Sequence, residues 1–144
     1  MARVLSVVAT LVLLGAVALL YVSGGLVSQS PYVWAVQAAA ILLMLWARFT
    51  FGWRSFHLAA NPTAGGLVTS GPYRFVRNPI YSAVWLFTWA GAAAHLTLAT
   101  AGSALLILAM LAVRIYCEEG LLIQEFPDYA AYAAKTARLI PFIL

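Results

Sequence analysis

The sequence predicts an all-α integral membrane protein with four transmembrane helices, the third and fourth joined as a tight helical hairpin. Three observations carry that reading. Of 144 residues, 65% are apolar and 8% charged, against about 25% charged in an ordinary soluble domain. The eight Lys or Arg and four Asp or Glu fall in three islands separated by two long uncharged blocks. Each block divides into two apolar runs at a turn-forming break. Too few polar groups remain to coat a globule, so a soluble enzyme, a disordered chain and a typical nucleic-acid binder are excluded.

The first run is Val4 to Val22, close to the roughly 20 apolar residues that a spanning helix needs. It is long for a signal-peptide core and has no small-residue cleavage site, so a retained anchor is expected. Ser23-Gly24-Gly25 and Ser28 to Pro31 break the chain. The second run, Tyr32 to Ala47, extends through Phe49 and Phe51 to Trp53. Ile80 to Ala94 is the third run and Leu98 to Val113 the fourth. Both are short, and His95 and Thr97 mark the turn between them. Backbone groups in lipid must be satisfied within the segment, so such runs are helices.

Basic residues set the orientation. The 24–31 and 95–97 connections hold none. Arg3, then Arg48, Arg54, Arg74 and Arg77, then Arg114, Lys135 and Arg138 mark one side. The expected location is therefore the cell membrane, multi-pass, with both termini and the 48–78 segment cytoplasmic. Tyr32 and Trp34 on one side, and Trp46 and Trp53 on the other, fit aromatic belts. The pI near 9.6 becomes a positive-inside signal. Cys117, the single cysteine, excludes an internal disulfide and suits a reducing compartment.

Familiar cofactor signatures are missing. Gly66 and Gly71 have Walker-A spacing, but Pro72 and Tyr73 stand where Lys and Ser/Thr are required. No G-x-G occurs, so there is no dinucleotide fingerprint. His57 and His95 fall on opposite sides of the membrane, which leaves no metal site. Two elements remain. The 54–79 loop, dense in Gly and Pro, has fixed backbone directions and N–H groups able to meet an anion. Its plain alternative is a solvated linker with basic anchors. The 114–144 tail opens with Arg114 and Glu118 on one helix face. An exposed pair of that kind is worth well under ~1 kcal/mol. An ionisable pair against hydrocarbon instead marks a site. Pro127 can open a short helix, placing Tyr129, Tyr132 and Thr136 on one face, and Leu139 to Phe142 can return to the bilayer.

Leu67-Val68-Thr69-Ser70-Gly71-Pro72-Tyr73, followed by Arg77-Asn78-Pro79-Ile80-Tyr81, resembles the cofactor motif of isoprenylcysteine carboxyl methyltransferases and related phospholipid methyltransferases. Arg114, Glu118, Glu119, Phe126, Tyr129, Tyr132 and Arg138 through Phe142 match that family's C-terminal pattern. The likeness covers residues 61 to 144; the first two helices match only as apolar segments. It implies two N-terminal transmembrane helices (1–53) before a methyltransferase-like core (54–144). That core would form a cytosolic S-adenosylmethionine pocket from the 54–79 loop and a C-terminal helical tail. The resemblance implies Leu67, Val68, Tyr73, Pro79, Tyr81 and Glu118 at the cofactor, with Arg77 and Asn78 beside them. Arg114 and Glu118 carry the catalytic roles, Arg114 next to the acceptor. The implied partner is a lipophilic acceptor entering from the bilayer, with no nucleic acid and no obligate protein partner. Asn78 stands where the family usually has His, and Pro127 where it usually has Gly. Two other readings remain open: an NADPH-dependent lipid reductase, for which no basic cluster for a 2′-phosphate is evident, and a non-catalytic membrane protein.

Overall fold

A computed structural model describes residues 1–52 and 66–140. Trp53, Arg54, His57, residues 61–65 and the end of the tail from Pro141 lie outside the described residues. The described chain is all-helical, without strands. Its α-helices are α1 (Ala2–Val22), α2 (Pro31–Phe51), α3 (Pro79–Ala94), α4 (Leu98–Glu125) and α5 (Tyr129–Ala133), with a 3₁₀ turn at Gly71–Arg74.

Three of these, α1, α2 and α4, are long and apolar enough to cross a membrane. The third element is shorter: 16 residues, about 24 Å at 1.5 Å per residue, against a hydrocarbon core of ~30 Å. The fourth is longer than its apolar run. It has 28 residues and passes Val113 without a break, carrying Arg114, Glu118 and Glu119 to its last turns. Buried pairing of those charges, described below, lets one helix run from the apolar layer into the polar one.

The ends of the helices follow local chemistry. Pro31 and Pro79 open α2 and α3 at a position where a missing N–H costs nothing. Gly52, with φ of 76°, closes α2 by donating its N–H to Arg48 O at 2.8 Å, a left-handed position that glycine occupies without strain. Thr97 and Thr100 form a reciprocal capping box at the start of α4. Pro127 does not open α5, which begins two residues later at Tyr129 and ends at Ala133. Thr136 therefore lies beyond the helix, its hydroxyl donating to Tyr132 O at 2.9 Å.

Helix α1 packs on α4, and α2 on α3. The buried stripe of α1 is Ser6, Ala9, Ala16 and Leu20, and small residues let backbones approach where lipid offers no hydrophobic drive. Ala16, Leu20, Ala92, Ala104, Ile107 and Leu111 form the core. At the end away from the loop, Gly91 is in contact with the 23–30 connection. A Cβ there would come within 2.5 Å of Gly25 O and Leu26 O. Gln37 ties the same connection to two helices, donating to Leu26 O at 2.8 Å and Phe87 O at 3.2 Å.

Candidate functional site

The loop before α3 and the chain after α4 are strapped together. Arg77 N donates to Ala137 O at 2.8 Å, and Ala137 N to Phe75 O at 3.0 Å, which makes the isolated bridge Val76–Ala137. The Arg77 guanidinium reinforces it. Its Nε lies 3.0 Å from Glu119 Oε1, and its Nη1 donates to Ala133 O at 2.8 Å and also to Thr136 O. Asn78 Nδ2 donates to Glu119 Oε1 at 3.1 Å and Arg138 O at 3.0 Å. Arg138 Nε meets the other oxygen, Oε2, at 3.1 Å. Tyr132 Oη donates to Tyr73 O at 2.6 Å, and Ser82 Oγ to Leu139 O. A neutral amide at position 78 fits this role, because it donates to a carboxylate and a carbonyl at once.

A second network lies on the facing side of α4. Arg114 is buried in the protein at 6% exposure. Its Nε donates to Tyr81 Oη at 2.8 Å, its Nη2 to Glu118 Oε1 at 2.8 Å and its Nη1 to Thr10 Oγ1. The Tyr81 hydroxyl donates onward to Glu118 Oε1. The pair four residues apart is thus not a loose helix-end contact. A ring hydroxyl from α3 and an alcohol from α1 hold it, so three helices fix one guanidinium.

Between the two networks lies a cavity of about 340 Å³, within the ~300–1,000 Å³ usual for small-molecule pockets. Leu67, Val68, Tyr73, Arg77, Asn78, Pro79, Tyr81, Arg114 and Glu118 all line it. The candidate residues, separated by up to 51 positions in the chain (67 to 118), meet at one place. Apolar side chains make most of the remaining wall, with Leu13, Met44, Phe51 and Val84 among them. Gly66 and Gly71 have φ of 88° and 57°, and at Gly71 a Cβ would strike Thr50 Oγ1 at 2.5 Å. The phenols of Tyr73, Tyr129 and Tyr132 line the same cavity. Burial pushes all three above the ordinary phenol range, Tyr132 to about 12.

Three participants escaped the sequence reading. Arg48, in the last turn of α2, and Thr10, in α1, both line the cavity. Glu119 matched the C-terminal pattern but received no role, and it is the hub of the strap. Thr10 lies four residues after Ser6, whose carbonyl its hydroxyl meets at 2.8 Å. That spacing was visible, but nothing local tells a helix-satisfied threonine from one that also receives an arginine. Leu139 folds back and is buried. Among the described residues no group of His, Cys, Asp and Glu can hold a metal ion, and Cys117 is a free, buried thiol.

A family model for phospholipid methyltransferases matches residues 32–128, well over half of the chain. The match takes in α2, the described part of the loop, α3 and α4. It stops before α5 and leaves out α1. No curated protein matches the chain significantly.

Proposed function

This chain belongs to the phospholipid methyltransferase family, and from that premise we propose that it transfers a methyl group from S-adenosylmethionine to a lipophilic acceptor, with the reaction at the cytoplasmic membrane face. The observation that carries the proposal is the meeting of nine motif residues from the loop, α3 and α4 on one largely apolar cavity.

The cofactor supplies a methyl group on a sulfonium, so the chemistry is an in-line displacement. What a protein adds to it is alignment and exclusion of water. In this reading Leu67, Val68 and Pro79 shape the wall of the cofactor pocket. Tyr73 and Tyr81 offer ring faces to the adenine or the sulfonium. Glu118 holds the positive or amino end of the cofactor. Arg77 and Asn78 act by fixing the loop against the tail. Arg114, aimed by Thr10, Tyr81 and Glu118, orients the carboxylate or other polar head of an isoprenoid or lipid-like acceptor. The acceptor's apolar part lies along the Leu13, Met44 and Phe51 side.

The same reading takes α3 as a fourth pass, forming a membrane hairpin with α4. Its length is accommodated by local thinning or by flanking residues that reach the interface, each at a modest cost per Å. Positive charge then places both termini and the cavity in the cytoplasm.

Calorimetry on the protein in nanodiscs tests the proposal: S-adenosylmethionine and its demethylated product should both bind at micromolar levels. Incubation of native membrane lipids with methyl-labelled cofactor should then yield a labelled lipid. Absence of cofactor binding, or protection by NADPH instead, overturns it.

A further inference from the structure

Charge around the cavity is unbalanced, and on the methyltransferase reading the imbalance bears on the acceptor. The whole chain has four acids: Glu118, Glu119, Glu125 and Asp128. Only Glu118 lines the cavity, and Arg114 is bound to it at 2.8 Å. Glu119 stands behind the wall, with Arg77 on one oxygen and Arg138 on the other. Glu125 and Asp128 are exposed and are not part of the wall. Residues 53–65 contain no acid at all. Three guanidiniums line the cavity, those of Arg48, Arg77 and Arg114. With Arg138, the site has four guanidiniums and two carboxylates.

S-adenosylmethionine does not correct this. Its sulfonium, ammonium and carboxylate sum to one more positive charge. Cationic groups collected in a cleft with apolar walls repel further cations and concentrate anions. The second ligand of the cavity must therefore bring the missing negative charge. Arg48 is placed to meet it. It is half-buried and lines the wall one turn after Met44 and three residues before Phe51, so an apolar chain and a charged head are offered on the same helix face. A cation in the last turn of a helix also favours the helix dipole, but that role does not require a place on the cavity wall. A guanidinium matches carboxylate and phosphate oxygens by paired hydrogen bonds.

We infer that the second ligand of this cavity is an anionic lipid and that Arg48 receives its negative head. Carboxylate and phosphate heads share this chemistry. A neutral or amine-only lipid leaves the excess charge uncompensated.

The test uses the full chain in phosphatidylcholine nanodiscs, titrated with S-adenosylmethionine in the presence of four lipids. Oleic acid and phosphatidic acid are the anionic arms; oleyl alcohol and diacylglycerol are their uncharged counterparts. An anionic lipid should raise cofactor affinity on the order of tenfold over its uncharged counterpart, since coupling between two sites is reciprocal. Whichever anionic arm does so identifies the head. Arg48→Gln should erase the difference and Arg48→Lys should keep most of it. Arg74→Gln, a change off the cavity wall, should leave it intact. Equal effects of charged and uncharged lipids overturn the inference. So does loss of cofactor binding in lipid-free Arg48→Gln, which would assign Arg48 to the cofactor's own carboxylate. An equal loss of coupling in Arg74→Gln would reduce the effect to general surface attraction and overturn it too. If Arg48→Gln fails to fold, the four-lipid series on the unaltered chain decides alone. If the unaltered chain binds no cofactor, the methyltransferase reading fails. Native mass spectrometry of retained lipids then still decides whether anionic heads are preferred.

Discussion

Arg77 and Glu119 meet at 3.0 Å with side chains 10% and 9% exposed, and this contact joins the segment before α3 to the cytoplasm-proximal half of α4. Breaking a buried ion pair from one side leaves a charge without compensation, at a cost of about 3–5 kcal/mol. Glu119→Ala also strands Asn78 and Arg138. Its expected result is a large fall in the melting temperature of the purified protein. An unchanged melting temperature would mean that the strap does not hold the tail.

The neighbouring carboxylate should behave differently. Glu118 is 26% exposed at the side chain and lines the cavity. Glu118→Gln keeps a hydrogen-bonding group beside Tyr81 and Arg114 but removes the charge. Folding should survive, and cofactor affinity should fall on the order of tenfold, the worth of about one charged hydrogen bond. A melting shift as large as that of Glu119→Ala would contradict this division of labour.

Thr10 gives a third expectation. Its hydroxyl donates to Ser6 O at 2.8 Å and accepts from Arg114 Nη1. Thr10→Val keeps the shape and deletes the acceptor. Turnover should drop by ten- to a hundredfold, the range for a misaligned positioning group, with cofactor binding nearly unchanged. Thr10→Ser should restore most of it. Thr10→Val at full activity would separate α1 from the chemistry.

Alkaline pH should loosen the tail. Burial raises Tyr132 from an ordinary value of 10.0 to about 12. The folded protein therefore keeps a proton that the unfolded chain gives up. The stability it contributes is complete below pH 10 and declines as pH rises through 12. Tyr73 and Tyr129, also shifted upward, act in the same direction. Tyr132→Phe loses the hydrogen bond to Tyr73 O, about 1 kcal/mol, and should show a shallower alkaline decline. Melting curves between neutral and strongly alkaline pH check both parts.

At the far end, Gly91→Ala forces a Cβ within 2.5 Å of two carbonyl oxygens in the 23–30 connection. Such overpacking costs typically 1–3 kcal/mol. The melting temperature should fall while cofactor affinity, measured well below it, stays the same.

Much of the fold was legible because its punctuation is local. Pro31, Gly52, Pro79 and Thr97 stop or start helices by their own backbone chemistry, and the apolar runs between them needed no further help. The end of α4 was not legible. Arg114, Glu118 and Glu119 read as the end of an apolar run, and only their burial against Tyr81, Thr10, Arg77 and Asn78 keeps the helix going to Glu125. The motif residues of the site could be named from the chain, since they stand in two ordered clusters. Arg48 and Thr10 could not. Each stands alone in a helix otherwise read as anchor, and their bearing on the cavity is a property of how four helices come together.

The strap has a further consequence for how the protein comes into being. Arg77 takes its backbone partners from Ala133, Thr136 and Ala137, so the cavity wall needs chain that emerges from the ribosome last. Every long apolar helix has been made before that. During synthesis the protein is thus a membrane resident before it has a closed pocket, and binding competence arrives as one late event rather than growing helix by helix.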